Sequence, residues 1–134
     1  MKEEKRIYVV IPATVQVPAP AGVGYSGKVM HVLQPMGRQI AQACHAVSML
    51  RHENPPEKHC HEFQPITTII LQARDSRELM HNFATLVKKR LYPVLFSDEN
   101  EAAYGKFNPI TAMAVLAEPK QIVDILDYLP LWGS

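Results

Sequence analysis

Residues 66–98, ITTIILQARDSRELMHNFATLVKKRLYPVLFSD, decide the fold class, because they spell strand, helix and strand without interruption. ITTIILQ at 66–72 is dense in β-branched residues, which suit the pleated surface of a sheet. Asp75 suits the N-cap of a helix, and Glu78 three residues on supplies the other half of a capping box. Leu79, Met80, Phe83, Leu86 and Val87 recur at helical spacing and predict one buried face. Lys88, Lys89 and Arg90 close the last turn, where positive charge suits the carbonyl end of the helix. Residues 92–97 return to the pattern of a strand.

Upstream, IYVVI at 7–11 is a continuous apolar run and predicts a strand covered on both faces. Residues 12–28 hold three prolines and three glycines without helical period, and read as a long inserted loop. Residues 29–33 could add a short strand. Over 37–51, Ile40, Cys44 and Val47 recur at helical spacing among the helix formers Ala41, Ala43 and Ala46. Pro55 and Pro56 stop that helix, and 52–65 reads as a polar, histidine-rich loop. Downstream, a polar loop leads to a strand over 110–117. Pro119 then opens a helix with Ile122, Ile125, Leu126 and Leu129 on one face. The order β-α-β-α-β-β-α predicts one α/β domain over 1–134, a mixed four-stranded sheet with helices on both faces.

The 134 residues fit a single domain, and 47 % hydrophobic against 20 % charged residues is the balance of a globular chain. A net charge of +1 argues against indiscriminate coating of nucleic acid, so any polyanion site is local. No apolar run approaches the ~20 residues that cross a bilayer, and MKEEKRIYVVIP is no signal peptide, so the expected compartment is the cytoplasm and no membrane partner is expected. Two cysteines, Cys44 and Cys60, are too few for a disulfide scaffold and are expected as free thiols.

Three segments bear on chemistry. Gly22-Val-Gly-Tyr-Ser-Gly27-Lys28-Val29 approaches a phosphate loop, but Val29 stands where Ser or Thr would hold magnesium, and no strand leads into it. A glycine turn is the better reading. His52, His59, Cys60 and His61, with Cys44 and His45 upstream, carry ligand chemistry suited to zinc, yet the His-Cys-His run lacks two separated pairs. A polar surface loop accounts for them, and neither a metal nor another cofactor is expected. Third, Arg38, Gln42 and His45 fall at i, i+4 and i+7, so they project along one helix face, with Arg38 in a first turn that already attracts anions. Spacing alone leaves two readings, an anion or carbonyl site and an ordinary amphipathic helix.

GRQIAQACHAVSML at 37–50 resembles the first helix of the type 2 peptidyl-tRNA hydrolase family, which opens with a pattern like G-K-x-x-x-Q-x-x-H-A. Gly37, Gln42, His45 and Ala46 match, and Arg38 stands where the family has lysine. The likeness continues through 66–98 and through Pro109, Thr111 and the segment to Pro119, then a helix and a Leu-Pro-Leu tail. It covers residues 1–11 and 34–131 and leaves 12–28 as an insertion.

This resemblance implies a peptidyl-tRNA hydrolase type 2-like domain, often dimeric, that cleaves the ester between a peptide or N-blocked amino acid and tRNA. The expected partners are peptidyl-tRNA and a second copy of the chain. Its second motif, D-A-G-R-T, aligns from Pro119 with Glu101-Ala-Ala-Tyr-Gly105, and from Pro93 its aspartate aligns with Asp98; the motif's arginine and threonine have no counterpart. The implied site therefore comprises Arg38 for an oxyanion or phosphate, Gln42, His45 and Thr111 as positioning groups, and Asp98 or Glu101 to orient water. Gly37 and Lys106 serve substrate binding. The altered second motif also fits a non-catalytic dimeric binding module of the same fold.

Overall fold

The computed structural model describes residues 4–18, 29–53, 66–99 and 108–134. Strands β1 (Arg6–Pro18) and β2 (Val29–Leu33) lead to helix α1 (Met36–Glu53), then β3 (Thr68–Asp75) and helix α2 (Ser76–Lys88). Strands β4 (Val94–Ser97) and β5 (Ile110–Ala117) precede helix α3 (Pro119–Leu126). The strands form one five-stranded mixed sheet organised around β1. Over its first half β1 pairs in parallel with β3, from Ile7 opposite Thr68, and antiparallel with β5, from Arg6 opposite Ala117. Strand β4 extends the sheet beyond β5.

Both faces of the sheet are covered, which is why β1 and β5 are apolar at consecutive positions. Tyr8, Val10, Met113 and Val115 point to a core closed by Leu79 and Leu86 of α2 and by Ile122, Ile125 and Leu126 of α3. Ile7, Val9 and Ile11 alternate to the other face. There they meet Ala112 and Ala114 of β5 and Ala43, Ala46 and Leu50 of α1. That second seam is lined largely by alanine, and small side chains let a helix lie close to a sheet.

Two expectations about the sheet are corrected. It has five strands rather than four, and residues 12–18 belong to β1 instead of an inserted loop. The prolines are accommodated by the pattern of pairing. Pairing with β5 ends at Val10 and pairing with β2 begins at Thr14, so Pro12 falls in a gap between partners. Gln34 fills that gap: its Nε2 donates to the Pro12 carbonyl at 2.7 Å and its backbone N–H to the Ala13 carbonyl at 2.9 Å. Residues 19–28, with most of the glycine motif, lie outside the described residues, but Lys28 is followed by a strand, where a phosphate loop requires a helix.

The buried helix faces also differ from the sequence pattern. In α1 the inward residues are Gln39, Gln42, Ala43, Ala46 and Leu50, whereas Ile40 is 48 % exposed and Cys44 is exposed. In α2, Leu79 and Leu86 are buried and Phe83 partly so, while Met80 and Val87 face solvent. The capping reading holds with one change. Asp75 accepts from the Glu78 N–H at 2.9 Å, but the Glu78 carboxylate reaches back to the Arg74 N–H at 2.8 Å. At the other end Arg90 takes φ 62°, with the Leu91 N–H bonded to the Leu86 carbonyl and the Arg90 N–H to the Val87 carbonyl. This is a Schellman ending with a non-glycine residue in the left-handed position. Pro119 opens α3 as expected, beside a capping box of Glu118 and Gln121.

The tail after α3 seals the free edge of β3. Leu131 bridges to Leu71, the Gln72 N–H donates to the Pro130 carbonyl, and the Trp132 N–H donates to the Ile70 carbonyl. Trp132 Nε1 then donates to Gln39 Oε1 at 2.8 Å, and Gln39 Nε2 to the Gln34 carbonyl at 2.7 Å. One chain of bonds thus links the tail, α1 and the middle of β1.

Replacing Gln34 by leucine is expected to cost about 1–3 kcal/mol, because a carbonyl in β1 loses its donor inside the protein. The check is a lower urea midpoint at unchanged slope. Arg90→Gly is expected to raise the same midpoint by removing about 1 kcal/mol of left-handed strain.

Candidate functional site

Of the sequence-predicted residues, Gln42 and Asp98 meet where the α1 face approaches the end of β4, with His45 one turn further along the helix. Val94 and Phe96 face α1, and strand alternation puts Asp98 on the same side, just past the last residue of β4. Two contacts fix this end: the Asp98 N–H donates to the Pro109 carbonyl at 3.0 Å, and Ser97 Oγ to the Asn108 carbonyl at 2.7 Å.

Gln42 and Asp98 meet directly. Gln42 Nε2 donates to Asp98 Oδ2 at 2.6 Å, a charge-assisted bond between residues 56 apart in sequence. Gln42 is 3 % exposed, so this amide lies inside although it shares a helix face with Arg38 and His45. Its Oε1 is buried and has no partner among the described residues. The amide therefore grips the carboxylate with its nitrogen end, and its oxygen end is buried.

Thr111 is fully buried, and its Oγ1 also lacks a partner among the described residues. It occupies the step in the β4–β5 register, where pairing passes from Ala112 opposite Phe96 to Ile110 opposite Ser97. The irregularity lies opposite Phe96 and Ser97, at the end of β4 that leads to Asp98. One turn of α1 beyond Gln42, His45 lies over Phe96 with ring centroids 4.7 Å apart and planes 21° apart. Phe96 was not singled out from the sequence, although its place two residues before Asp98 on a strand is the signal that puts both on one face.

Arg38 and Gly37 lie in the first turn of α1, at the positive end of its dipole. Arg38 is partly exposed, and the space beside Gly37 is open, so no contact among the described residues demands glycine there. Glu101 and Lys106 lie outside the described residues, as do His59, Cys60 and His61. His52 is exposed near the end of α1. Among the described residues no group of three or more histidine, cysteine or acidic side chains could hold a metal ion, and no helix is long and apolar enough to cross a membrane.

The arrangement holds a carboxylate by an amide, with a guanidinium one helix turn before that amide. Such a set can orient a water molecule and stabilise negative charge nearby.

No family model matches the chain, and no curated protein does. Among solved structures, a protein of unknown function from Agrobacterium tumefaciens is similar, with a TM-score of 0.61 over 99 % of this chain and 100 % of that one. The two sequences are 10 % identical, so the likeness shows the fold alone.

Removal of either partner should expose the strength of the Gln42–Asp98 bond. A double-mutant cycle with Gln42→Ala and Asp98→Ala is expected to give a coupling of about 1–2 kcal/mol in urea unfolding. Additive effects would mean that the contact contributes nothing.

Proposed function

We propose that this chain hydrolyses the ester between a peptide or N-blocked amino acid and the terminal ribose of tRNA, as its resemblance to the type 2 peptidyl-tRNA hydrolase family implies. The observation that carries the reading is the 2.6 Å bond from Gln42 to Asp98, which ties the family-like helix motif to the family-like aspartate. It favours Asp98 over Glu101 as the group that orients water.

In this mechanism the Asp98 carboxylate positions a water molecule and takes its proton as the oxygen attacks the ester carbonyl. Gln42 keeps the carboxylate oriented through its 2.6 Å bond. A carbon–oxygen bond forms, and the negative charge on the former carbonyl oxygen falls to Arg38 and the start of α1. Arg38 suits this part because its charge is fixed, and for the same reason it cannot act as the base. Collapse breaks the bond to the ribose oxygen, which receives the proton from Asp98. Gly37 leaves the helix start open to substrate.

The direct assay follows release of N-acetylphenylalanine from charged tRNA. Asp98→Asn is expected to lower kcat about 100-fold or more, and Arg38→Ala by about 100-fold. Release no faster than in buffer would sink the catalytic reading.

A second reading, a non-catalytic binding module of the same fold, is favoured by the net charge of +1, which leaves little surplus for phosphate contacts. Saturable, salt-dependent tRNA binding without turnover would favour that module. A second copy of the chain is the partner proposed under either reading.

A further inference from the structure

We propose that the His45–Phe96 pair is a stacking platform for the nucleobase attached to the ribose whose ester is cleaved. The inference rests on the hydrolase reading and names how the leaving group is recognised.

His45 is exposed, although its ring lies on Phe96 with the centroid spacing and tilt of an offset stack. An exposed imidazole held flat by an aromatic ring beneath it loses little rotamer freedom when a further ring settles on it. Base–aromatic stacking is also tolerant of sequence, because every base presents a π-face. The platform's place relative to the proposed reaction centre matters as much as its shape. Along α1, His45 follows Gln42 by three residues, a rise of about 4.5 Å. Along the opposing strand, Phe96 precedes Asp98 by two residues, about 7 Å. A ribose ester seated at Asp98 thus has the platform about one sugar's width away, where its base projects.

Arg38 lies on the same helix, about one turn before Gln42 and on the opposite side of it from His45. The guanidinium and the platform therefore flank the Gln42–Asp98 pair along the helix. Acyl-end charge goes to one side and the nucleoside to the other. Purines are favoured over pyrimidines because their larger ring system covers more of the imidazole.

The test uses the whole chain and three ligands: adenosine 5′-monophosphate, cytidine 5′-monophosphate and the N-acetylphenylalanyl ester of adenosine. Equilibrium titration is expected to give saturable adenosine 5′-monophosphate binding, tighter than the cytidine nucleotide. His45→Ala is expected to raise its Kd at least 10-fold, with His45→Phe within about threefold of wild type because a flat ring is restored. An unchanged Tm in His45→Ala would show that the loss is not one of folding. Ester turnover, measured in parallel, reports separately on hydrolysis: nucleotide binding that depends on a ring at position 45 without turnover keeps the platform and removes the hydrolase. A preference for the ester over the free nucleotide marks the acylated end of an RNA as the source of the base. Equal Kd values for wild type and His45→Ala, or no saturable binding, would overturn the proposal.

Discussion

The Gln34 side chain reaches across the gap between two successive partners of β1, and the α1 face of the molecule depends on that contact. β1 has to serve β3, β5 and β2 along 13 residues, and the change from β5 to β2 leaves one side of its backbone without a neighbouring strand around Pro12, while β3 continues along the other. A glutamine 1 % exposed supplies the missing donor there. Its carbonyl accepts from Gln39, and Gln39 accepts from Trp132 in the tail. An orphaned carbonyl in such a place costs as much as a lost core contact, so these amides act as structural members. They also set where α1 begins, and with it where Arg38 and Gln42 lie.

Much of the architecture was legible because burial on two faces leaves a plain mark. IYVVI at 7–11 reads as a strand covered on both sides and 110–117 as a strand, and Asp75, Pro119 and the Ile122–Leu129 pattern mark two helices. What escaped were places where a polar residue does an apolar residue's job. Hydrophobic periodicity assigned Ile40 and Cys44 to the inside of α1, but the helix turns Gln39 and Gln42 inward because both have bonding partners there. The extension of β1 was hidden for a related reason. Prolines normally end a strand, and nothing in the local sequence reveals that a distant glutamine will replace the missing partner.

The candidate site was legible in part. The i, i+4, i+7 pattern brought out Arg38, Gln42 and His45, but periodicity cannot say which carboxylate a helix will meet. Only the pairing of β4 with β5 determines that Asp98 comes to rest against Gln42. The step in that pairing at Thr111 has no sequence signature at all. Phe96 was overlooked because an aromatic residue in a strand is ordinarily core, and this one is only partly buried beneath an imidazole.

The alanines between α1 and the sheet have a consequence for how this site could change. Ala43 and Ala46 on the helix face Ala112 and Ala114 on the strand side, and these four residues act as a spacer whose thickness fixes the height of α1. The reach of a glutamine is short, and a 2.6 Å bond tolerates little displacement. One added methyl group in the spacer would lift the helix and open the Gln42–Asp98 contact without altering either residue of that contact. The geometry of the candidate site is therefore adjustable from the interior. A lineage could retune or silence the site by changing a residue that looks like packing, while every polar group at the surface stayed the same.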